Sequence, residues 1–233
     1  MLEIRRGEDR GVGEHGWLSS RHSFSFANYY DPKHMGFGPL LVINEDRVKP
    51  GKGFGAHGHN DMEIISYVLE GALEHKDSMG NGSVIEYGNV QRMSAGTGIR
   101  HSEFNHSANE DVHFLQIWIH PNTQGLQPSY EEKNFSRESK LGKWQLIVSP
   151  NGQDGSVRVH QDASIFASIL DGDDSLEYHW DETRCGYLHV ARGNITVNGL
   201  ALKAGDAVKI INEPQITVTN AEDAEILLFD LPL

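Results

Sequence analysis

Two short pairs of side chains are the best candidates for chemistry in this sequence. His57 and His59 are separated by one glycine, and His101 and Glu103 are separated by one serine. On a β-strand, side chains two residues apart point to the same face, so each pair would present both members to one side of a sheet. Both pairs also follow glycine-rich segments. Two such strands side by side would offer three imidazoles and one carboxylate, which suits a divalent metal and leaves positions open for a substrate or oxygen.

Strands are the elements that must position these pairs, because helical periodicity is scarce along the chain. Short β-branched and aromatic runs recur between glycine, asparagine and aspartate, and the clearest cover Leu40–Asn44, Ile64–Leu69, Val112–Ile119, Gln145–Val148, Tyr187–Ala191, Ile195–Asn198, Ala207–Ile211, Ile216–Thr219 and Ile226–Phe229. Turn sequences at 79–82 and 197–200 fit tight hairpins. This spacing predicts an all-β fold of the sandwich or barrel type.

A polar stretch near the middle of the chain predicts two domains. Residues 129–143 are poor in β-branched side chains, which is typical of a linker or a short connecting helix. Each side has its own set of strands, which indicates a duplicated β-barrel. No second His-x-His follows residue 145. We therefore expect an N-terminal metal-binding domain at 1–130, a linker at 131–144, and a C-terminal domain at 145–233 that has no metal ligands.

The charge and cysteine content exclude several classes of function. The chain has 20 Lys+Arg and 33 Asp+Glu, a net charge of −13 that repels phosphate backbones and anionic lipid. We therefore expect no direct nucleic-acid or membrane partner. Cys185 is the single cysteine, so there is no intrachain disulfide or thiolate cluster. The sequence shows no signal-type apolar segment and no run near the ~18 apolar residues of a membrane span. A reducing, cytoplasmic location is the expectation.

The motifs around both pairs resemble those of a known superfamily. Gly51-x5-His57-x-His59-x3-Glu63-x7-Gly71 is similar to the first cupin motif, and Gly96-x-Gly98-x2-His101-x3-Asn105 is similar to the second, with Gly96 where proline is usual. More narrowly, three segments resemble the pirin family, in particular its bacterial members with quercetin dioxygenase activity: Trp17–Asp31, Phe54–Asp77 and Met93–Phe104. The resemblance covers most of residues 10–125. It implies a bicupin, with two antiparallel β-barrels of jelly-roll type and the metal only in the N-terminal one.

The pirin resemblance implies that His57, His59, His101 and Glu103 bind the metal. In the broader cupins the glutamate of the first motif, here Glu63, often serves instead. Each glutamate lies an even number of residues from the histidines of its motif, so alternation along a strand does not decide which glutamate faces the metal. However, Glu63 lies four residues from His59, or ~13 Å along an extended strand, whereas Glu103 lies two residues from His101. We expect Glu103 to be the metal ligand, and Glu63 to contact the ligands rather than the metal.

The function that the resemblance implies is a metal-dependent dioxygenase that opens the ring of a flavonol such as quercetin, or a related polyphenol, with O2. One divalent metal ion per chain is expected, with Fe(II) favoured and Cu, Ni, Mn, Co or Zn compatible with the ligands. Glu103 would accept the proton of the substrate hydroxyl. Two or three nearby aromatic residues would line the pocket for the small aromatic substrate, and the candidates are Phe24, Phe26, Tyr29, Tyr30, Phe37 and Phe54.

Two alternatives to this enzyme remain open from the sequence. One is an iron-binding, redox-sensing transcriptional co-regulator that acts through a protein partner. The other is a metal-dependent sugar isomerase, an activity that cupins also support. His15, His34, His160, His179 and His189 have no partner at ligand spacing, and we expect surface or turn positions for them. His75, His106 and His113 lie close in sequence to the metal strands, so one of them could donate a hydrogen bond to a ligand carboxylate, but we expect core or rim positions for all three.

Overall fold

The computed structural model describes residues 1–233, and almost all of its regular structure is antiparallel β-sheet. The first twelve strands are β1 (Leu2–Arg5), β2 (Gly11–Glu14), β3 (Leu18–His22), β4 (Leu40–Val48), β5 (Gly53–His59), β6 (Glu63–Glu70), β7 (Ala72–Asp77), β8 (Gly82–Glu86), β9 (Asn89–Ser94), β10 (Ile99–Asn105), β11 (Val112–Ile119) and β12 (Ser129–Asn134). The remaining strands are β13 (Gln145–Ser149), β14 (Val157–Arg158), β15 (Ser164–Gly172), β16 (Leu176–His179), β17 (Arg184–Val197), β18 (Leu200–Lys203), β19 (Ala207–Ile210) and β20 (Gln215–Pro232). Helical structure is limited to α1 (Arg137–Lys140) and the 3₁₀ turns Gly7–Asp9 and Gln153–Gly155. The expected all-β class is confirmed.

The chain divides into two compact units. The first, called the site unit below, comprises residues 11–134 and 157–161. The second unit comprises residues 1–10, 135–156 and 162–233. No helix has the length and apolar character that crossing a bilayer requires.

Part of the polar stretch near the middle of the chain is a strand. Strand β12 pairs antiparallel with β9 from Ser129↔Ser94 to Asn134↔Asn89. Polar contacts secure it, because the carboxylate of Glu132 accepts hydrogen bonds from Tyr130 OH and Asn89 Nδ2, each at 2.8 Å. The strand therefore forms without any β-branched residue: the backbone pairing with β9 holds it, and Asn89 adds a side-chain hydrogen bond from that neighbouring strand. The short helix α1 follows it, and the domain bounds at 130 and 145 remain a prediction.

The site unit consists of two sheets with an apolar core between them. One has seven strands in the order β12-β9-β6-β11-β4-β3-β2, and the other has four in the order β5-β10-β7-β8. The core cluster contains Val68 and Phe114 from the larger sheet and Leu73 and Ile85 from the smaller one, and all four are fully buried. In the larger sheet β11 pairs with β4 on one side and β6 on the other, with one register shift in each pairing. Its β-branched and aromatic content favours this central position.

The second unit contains one large antiparallel sheet with the central strand order β1-β19-β17-β20-β15-β13. Its core is an aliphatic cluster that includes Leu188, Val208 and Leu228. One ion pair is buried in this unit, because Lys140 Nζ lies 3.1 Å from Glu225 and both side chains are almost inaccessible to solvent. Burial lowers the pKa of Lys140, and the charge of Glu225 opposes that shift.

Candidate metal centre

Strands β5 and β10 bring three histidines to one point of the smaller sheet. The strands are antiparallel neighbours, with His101 opposite His57 and Ile99 opposite His59. Nε2 of His101 lies 3.1 Å from Nε2 of His57 and 3.1 Å from Nε2 of His59. The i, i+2 spacing of the first motif therefore does place both of its imidazoles on the face that His101 occupies.

Hydrogen bonding and burial both keep the ring nitrogens available as ligands. His57 Nδ1 lies 2.8 Å from the carbonyl oxygen of Gly55, which can only accept, so Nδ1 carries a proton and Nε2 is the atom left to bind a metal. Burial, reinforced by the neighbouring imidazoles, lowers the pKa of His59 to about 4 and that of His101 to about 3. Both rings are therefore neutral at neutral pH. Three convergent lone pairs fit a cation, so the residues present are suitable for a metal.

Glu103 lies on the same strand as His101, beyond an irregularity in the pairing. A register shift between His101 and Glu103 places the glutamate opposite Phe54. Its carboxylate is buried and accepts hydrogen bonds from Ser66 Oγ at 3.2 Å and Gln116 Nε2 at 2.8 Å. Ligand atoms of Glu103, His101 and His75 lie within 4.8 Å of one another. A carboxylate has about four lone-pair positions, so two hydrogen bonds still leave it able to bind a cation.

A third strand supports this centre with His75, one of the three histidines considered as possible supports, and with Asp77, which the motifs do not include. On β7, His75 lies opposite Glu103 and Asp77 opposite His101. His75 Nε2 is 3.2 Å from Asp77 Oδ2, and its ring lies 5.4 Å from that of His101, centroid to centroid. His75-Lys76-Asp77 has the same i, i+2 spacing as the two motif pairs. That spacing was the signal in the sequence that could have identified Asp77.

A cavity of about 360 Å³ opens beside the histidines. Its apolar lining includes Trp17, Leu18, Phe26, Phe54, Ile64 and Trp118. Two aromatic pairs shape it: Trp17 meets Phe54 edge-to-face at 5.3 Å, and Phe26 meets Trp118 edge-to-face at 5.4 Å. Of the aromatic residues expected as walls, Phe26 and Phe54 line the cavity, whereas Phe24 belongs to the buried core.

Glu63 lies elsewhere in the site unit. It is fully buried at the start of β6, and its Oε2 accepts hydrogen bonds from the backbone N–H of His160 at 3.1 Å and from His160 Nδ1 at 3.2 Å. Ile64 and Ser66, which have the opposite parity on the same strand, face the cavity and Glu103 respectively. Glu63 is therefore placed to hold the 157–161 segment rather than to touch the three histidines.

One of the other histidines differs from the expected surface or turn position. His189 is fully buried in the middle of β17, because that strand is central in the sheet of the second unit. His160 lies at a half-buried bend, as expected, and is bonded to Glu63. His15 is exposed and also lines the cavity. Near the metal strands, His113 pairs with Glu45 at 3.0 Å and His106 with Glu74 at 3.6 Å.

The close contact of β5 with β10 gives a prediction about two glycines. A Cβ on Gly53 would lie 2.2 Å from the carbonyl oxygen of Glu103, whereas a Cβ on Gly55 would meet nothing within 4 Å. We expect Gly53→Ala to lower the free energy of unfolding by about 1–3 kcal/mol, because the backbone must move, and to reduce the metal content. Gly55→Ala should leave both unchanged. Denaturant unfolding and elemental analysis of the two variants check this, and equal behaviour of the two would contradict it.

Comparison with known proteins places these features in a family. The pirin family model matches residues 5–119, and a model described as the quercetinase C-terminal cupin domain matches residues 146–231. A protein named quercetin 2,3-dioxygenase from Escherichia coli K12 is 47% identical over 232 residues, covering 100% of this chain and 99% of the relative. A putative quercetin 2,3-dioxygenase from Pseudomonas aeruginosa is 44% identical, covering 99% of this chain and 100% of the relative.

Solved structures agree with the family match. The E. coli protein YhhW has a TM-score of 0.96 and 46% identity, covering 100% of this chain and 98% of that one. A structure described as the bacterial pirin YhhW in complex with nickel(II) has a TM-score of 0.95 and 46% identity, covering 100% and 99% of the two chains. The fold and the two matched domains define this protein as a bicupin. The chain belongs to the pirin family, as its motifs indicated.

Proposed function

We propose that this pirin is a metal-dependent dioxygenase that opens the ring of a flavonol such as quercetin, or of a related polyphenol, with O2. The observation that carries the proposal is the position of the three histidines, which converge on the wall of a cavity that is also lined by Trp17, Phe26, Phe54 and Trp118. An apolar cavity with a few convergent polar groups is the usual form of a small-molecule site. The names of the full-length relatives from E. coli support this choice of substrate class.

Four residues would hold the metal in this proposal: His57, His59, His101 and Glu103. We propose one divalent ion per chain. Imidazole and carboxylate donors admit several metals, and Fe(II) remains our first candidate because the reaction uses O2. The nickel(II) complex of YhhW, at 46% identity, supports the presence of a divalent site of this kind.

The residues of the chain would perform the remaining tasks. A bound divalent metal supplies a Lewis acid that favours the anionic form of an enolic hydroxyl. Glu103 would receive the proton of that hydroxyl, since its carboxylate is the acidic group nearest to His101 on the same strand. Ser66 and Gln116 fix the orientation of Glu103 through their hydrogen bonds. The aromatic pairs around the cavity would stack on the flat substrate and exclude water.

The test is turnover of quercetin by protein purified without oxygen and loaded with one metal at a time. We expect the absorption band of the flavonol to disappear only when metal and O2 are both present, with one O2 consumed per quercetin. An electrode measures the oxygen, and metal-free protein is the control. Bleaching that continues at the same rate without protein-bound metal would contradict the proposal.

The alternative of an iron-bound co-regulator makes a different prediction. A sensor would change conformation with the oxidation state of the metal but would not consume O2. The curated relatives named above support the enzyme rather than the regulator. A cytoplasmic location remains a prediction that rests on the single cysteine and the sequence composition.

A further inference from the structure

A polar pair lines the cavity on the wall that the larger sheet contributes. Asn44 and Asp46 are two residues apart on β4, so their side chains point to the same face, and both line the cavity. The three histidines lie on the smaller sheet, so the pair occupies a different wall. Neither residue has a part in the proposed metal site.

Asp46 presents an acceptor that the protein satisfies only in part. The residue is 4% exposed, and the one hydrogen bond to its carboxylate comes from the hydroxyl of Ser20, which donates to Oδ1. Burial raises the pKa of Asp46 to about 7; the bond from Ser20 opposes that shift, and no lysine or arginine contributes to it. A buried carboxylate is unfavourable unless further donors reach it. Oδ2 is the oxygen left for such a donor.

Asn44 presents an unused donor beside this acceptor. Because Ser20 donates its single hydroxyl hydrogen to Asp46, its oxygen accepts from His22 Nδ1 at 3.4 Å, and Nδ1 therefore carries a proton. The same Nδ1 lies 2.8 Å from Oδ1 of Asn44, which fixes the amide with its oxygen towards His22. The amide nitrogen Nδ2 donates no hydrogen bond within the protein, so its hydrogens are available to a ligand in the cavity.

We propose that Asn44 and Asp46 together bind one ring hydroxyl of the substrate, different from the hydroxyl held at the metal. The inference rests on the proposed function for the choice of ligand class. A hydroxyl group both donates and accepts, so one such group can donate to Asp46 Oδ2 and accept from Asn44 Nδ2. A substrate without it would leave the buried carboxylate with Ser20 as its only donor, which is the source of the discrimination.

The experiment measures equilibrium binding without O2, so that turnover plays no part. Quercetin, which has several ring hydroxyls besides the enolic one, is compared with 3-hydroxyflavone, which has the same core and the enolic hydroxyl alone. Nickel-loaded protein is titrated with each flavonol, and quenching of the tryptophan fluorescence is followed, because Trp17 and Trp118 line the cavity. We expect wild-type protein to bind quercetin roughly 10–100-fold more tightly, since a hydrogen bond to a charged group contributes that much.

Two variants remove the acceptor and the donor in turn. Asp46→Leu should lower the affinity for quercetin by roughly tenfold or more, and Asn44→Leu by roughly threefold to tenfold because its hydrogen bond is neutral. The affinity for 3-hydroxyflavone should change by less than about twofold in both, since neither side chain has a hydroxyl of that ligand to bind.

Arg47→Gln is the matched control on the same strand. Arg47 is exposed, pairs with Glu70 at 3.7 Å and does not line the cavity, so this variant should keep the wild-type preference. Circular dichroism and metal content establish that each variant is folded and loaded. If Asp46→Leu does not fold, the almost isosteric Asp46→Asn replaces it, with a selective loss of roughly threefold or more expected for quercetin.

The outcomes separate this inference from the proposed function. Equal affinity of wild-type protein for the two flavonols, or a preference for quercetin that either cavity variant leaves unchanged, would overturn the pair. A preference that the Asp46 and Asn44 variants both reduce, and that Arg47→Gln keeps, supports it even in a protein that shows no turnover. Turnover of quercetin by a protein without any binding preference would leave the dioxygenase proposal standing and reject the pair.

Discussion

Replacement of His101 by alanine is expected to lower the metal content by roughly tenfold or more and to reduce quercetin turnover in proportion, while the fold persists. His101 is central to the cluster, because its Nε2 lies 3.1 Å from the Nε2 atoms of both other histidines. Losing even an outer-sphere partner of a metal site reduces affinity by ~10–100-fold, and loss of a direct ligand should exceed that. Elemental analysis and circular dichroism on the same sample measure the effect. His57→Ala should behave in the same way.

His106→Ala is the matched control for this prediction. His106 lies just beyond the end of β10, is exposed, and pairs with Glu74 rather than with the cluster. It should retain full metal content and turnover. If His57→Ala and His101→Ala both kept stoichiometric metal in a folded protein, the four-ligand assignment would be wrong.

The second large effect distinguishes the role of Glu103 from that of Glu63. Glu103→Gln keeps an oxygen donor near the cluster but removes the base, so we expect partial metal loss and a loss of turnover per bound metal of ~10²–10⁴. Ser66 and Gln116 still have hydrogen-bonding partners in this variant, so the local structure should persist. Steady-state turnover divided by metal content gives the result.

Glu63→Gln should have a different effect. Glu63 is bonded to His160, so the variant should lower the free energy of unfolding by about 1–3 kcal/mol through the weakened charge-assisted contact. Metal content and turnover per metal should remain close to wild type. If Glu63→Gln were inactive and Glu103→Gln active, the chain would follow the general cupin pattern and the choice of Glu103 would be incorrect.

The strands of the site unit could largely be predicted from the sequence, because local apolar runs determine them. The run at Val112–Ile119 is the observed β11, and the run at Ile64–Leu69 is β6 without its terminal residues. In the second unit the prediction failed where strands are long. The runs at Ile216–Thr219 and Ile226–Phe229 are parts of the single strand β20, because the polar residues between them continue to pair with neighbouring strands.

The candidate site was predictable only where its residues are close in sequence. His57, His59 and His101 were found because their spacing and glycine-rich approaches are local features. The i, i+2 spacing of His75 and Asp77 was a local signal, but their position beside Glu103 and His101 depends on cross-strand register, which is set by the packing of whole sheets. The contact of Glu63 with His160 could not be predicted from local spacing either, because the two residues are 97 positions apart in the sequence.

Titration of metal-free protein with Fe(II) under anaerobic conditions, followed by quercetin turnover in the presence of O2, tests the central claim most directly. Both groups of side chains that are close enough to share a cation include His101, so a single centre is expected. We predict that turnover rises linearly with added metal and reaches its plateau at one ion per chain, and that it is abolished in His101→Ala. Saturation at two ions per chain, or turnover that does not depend on bound metal, would contradict the account.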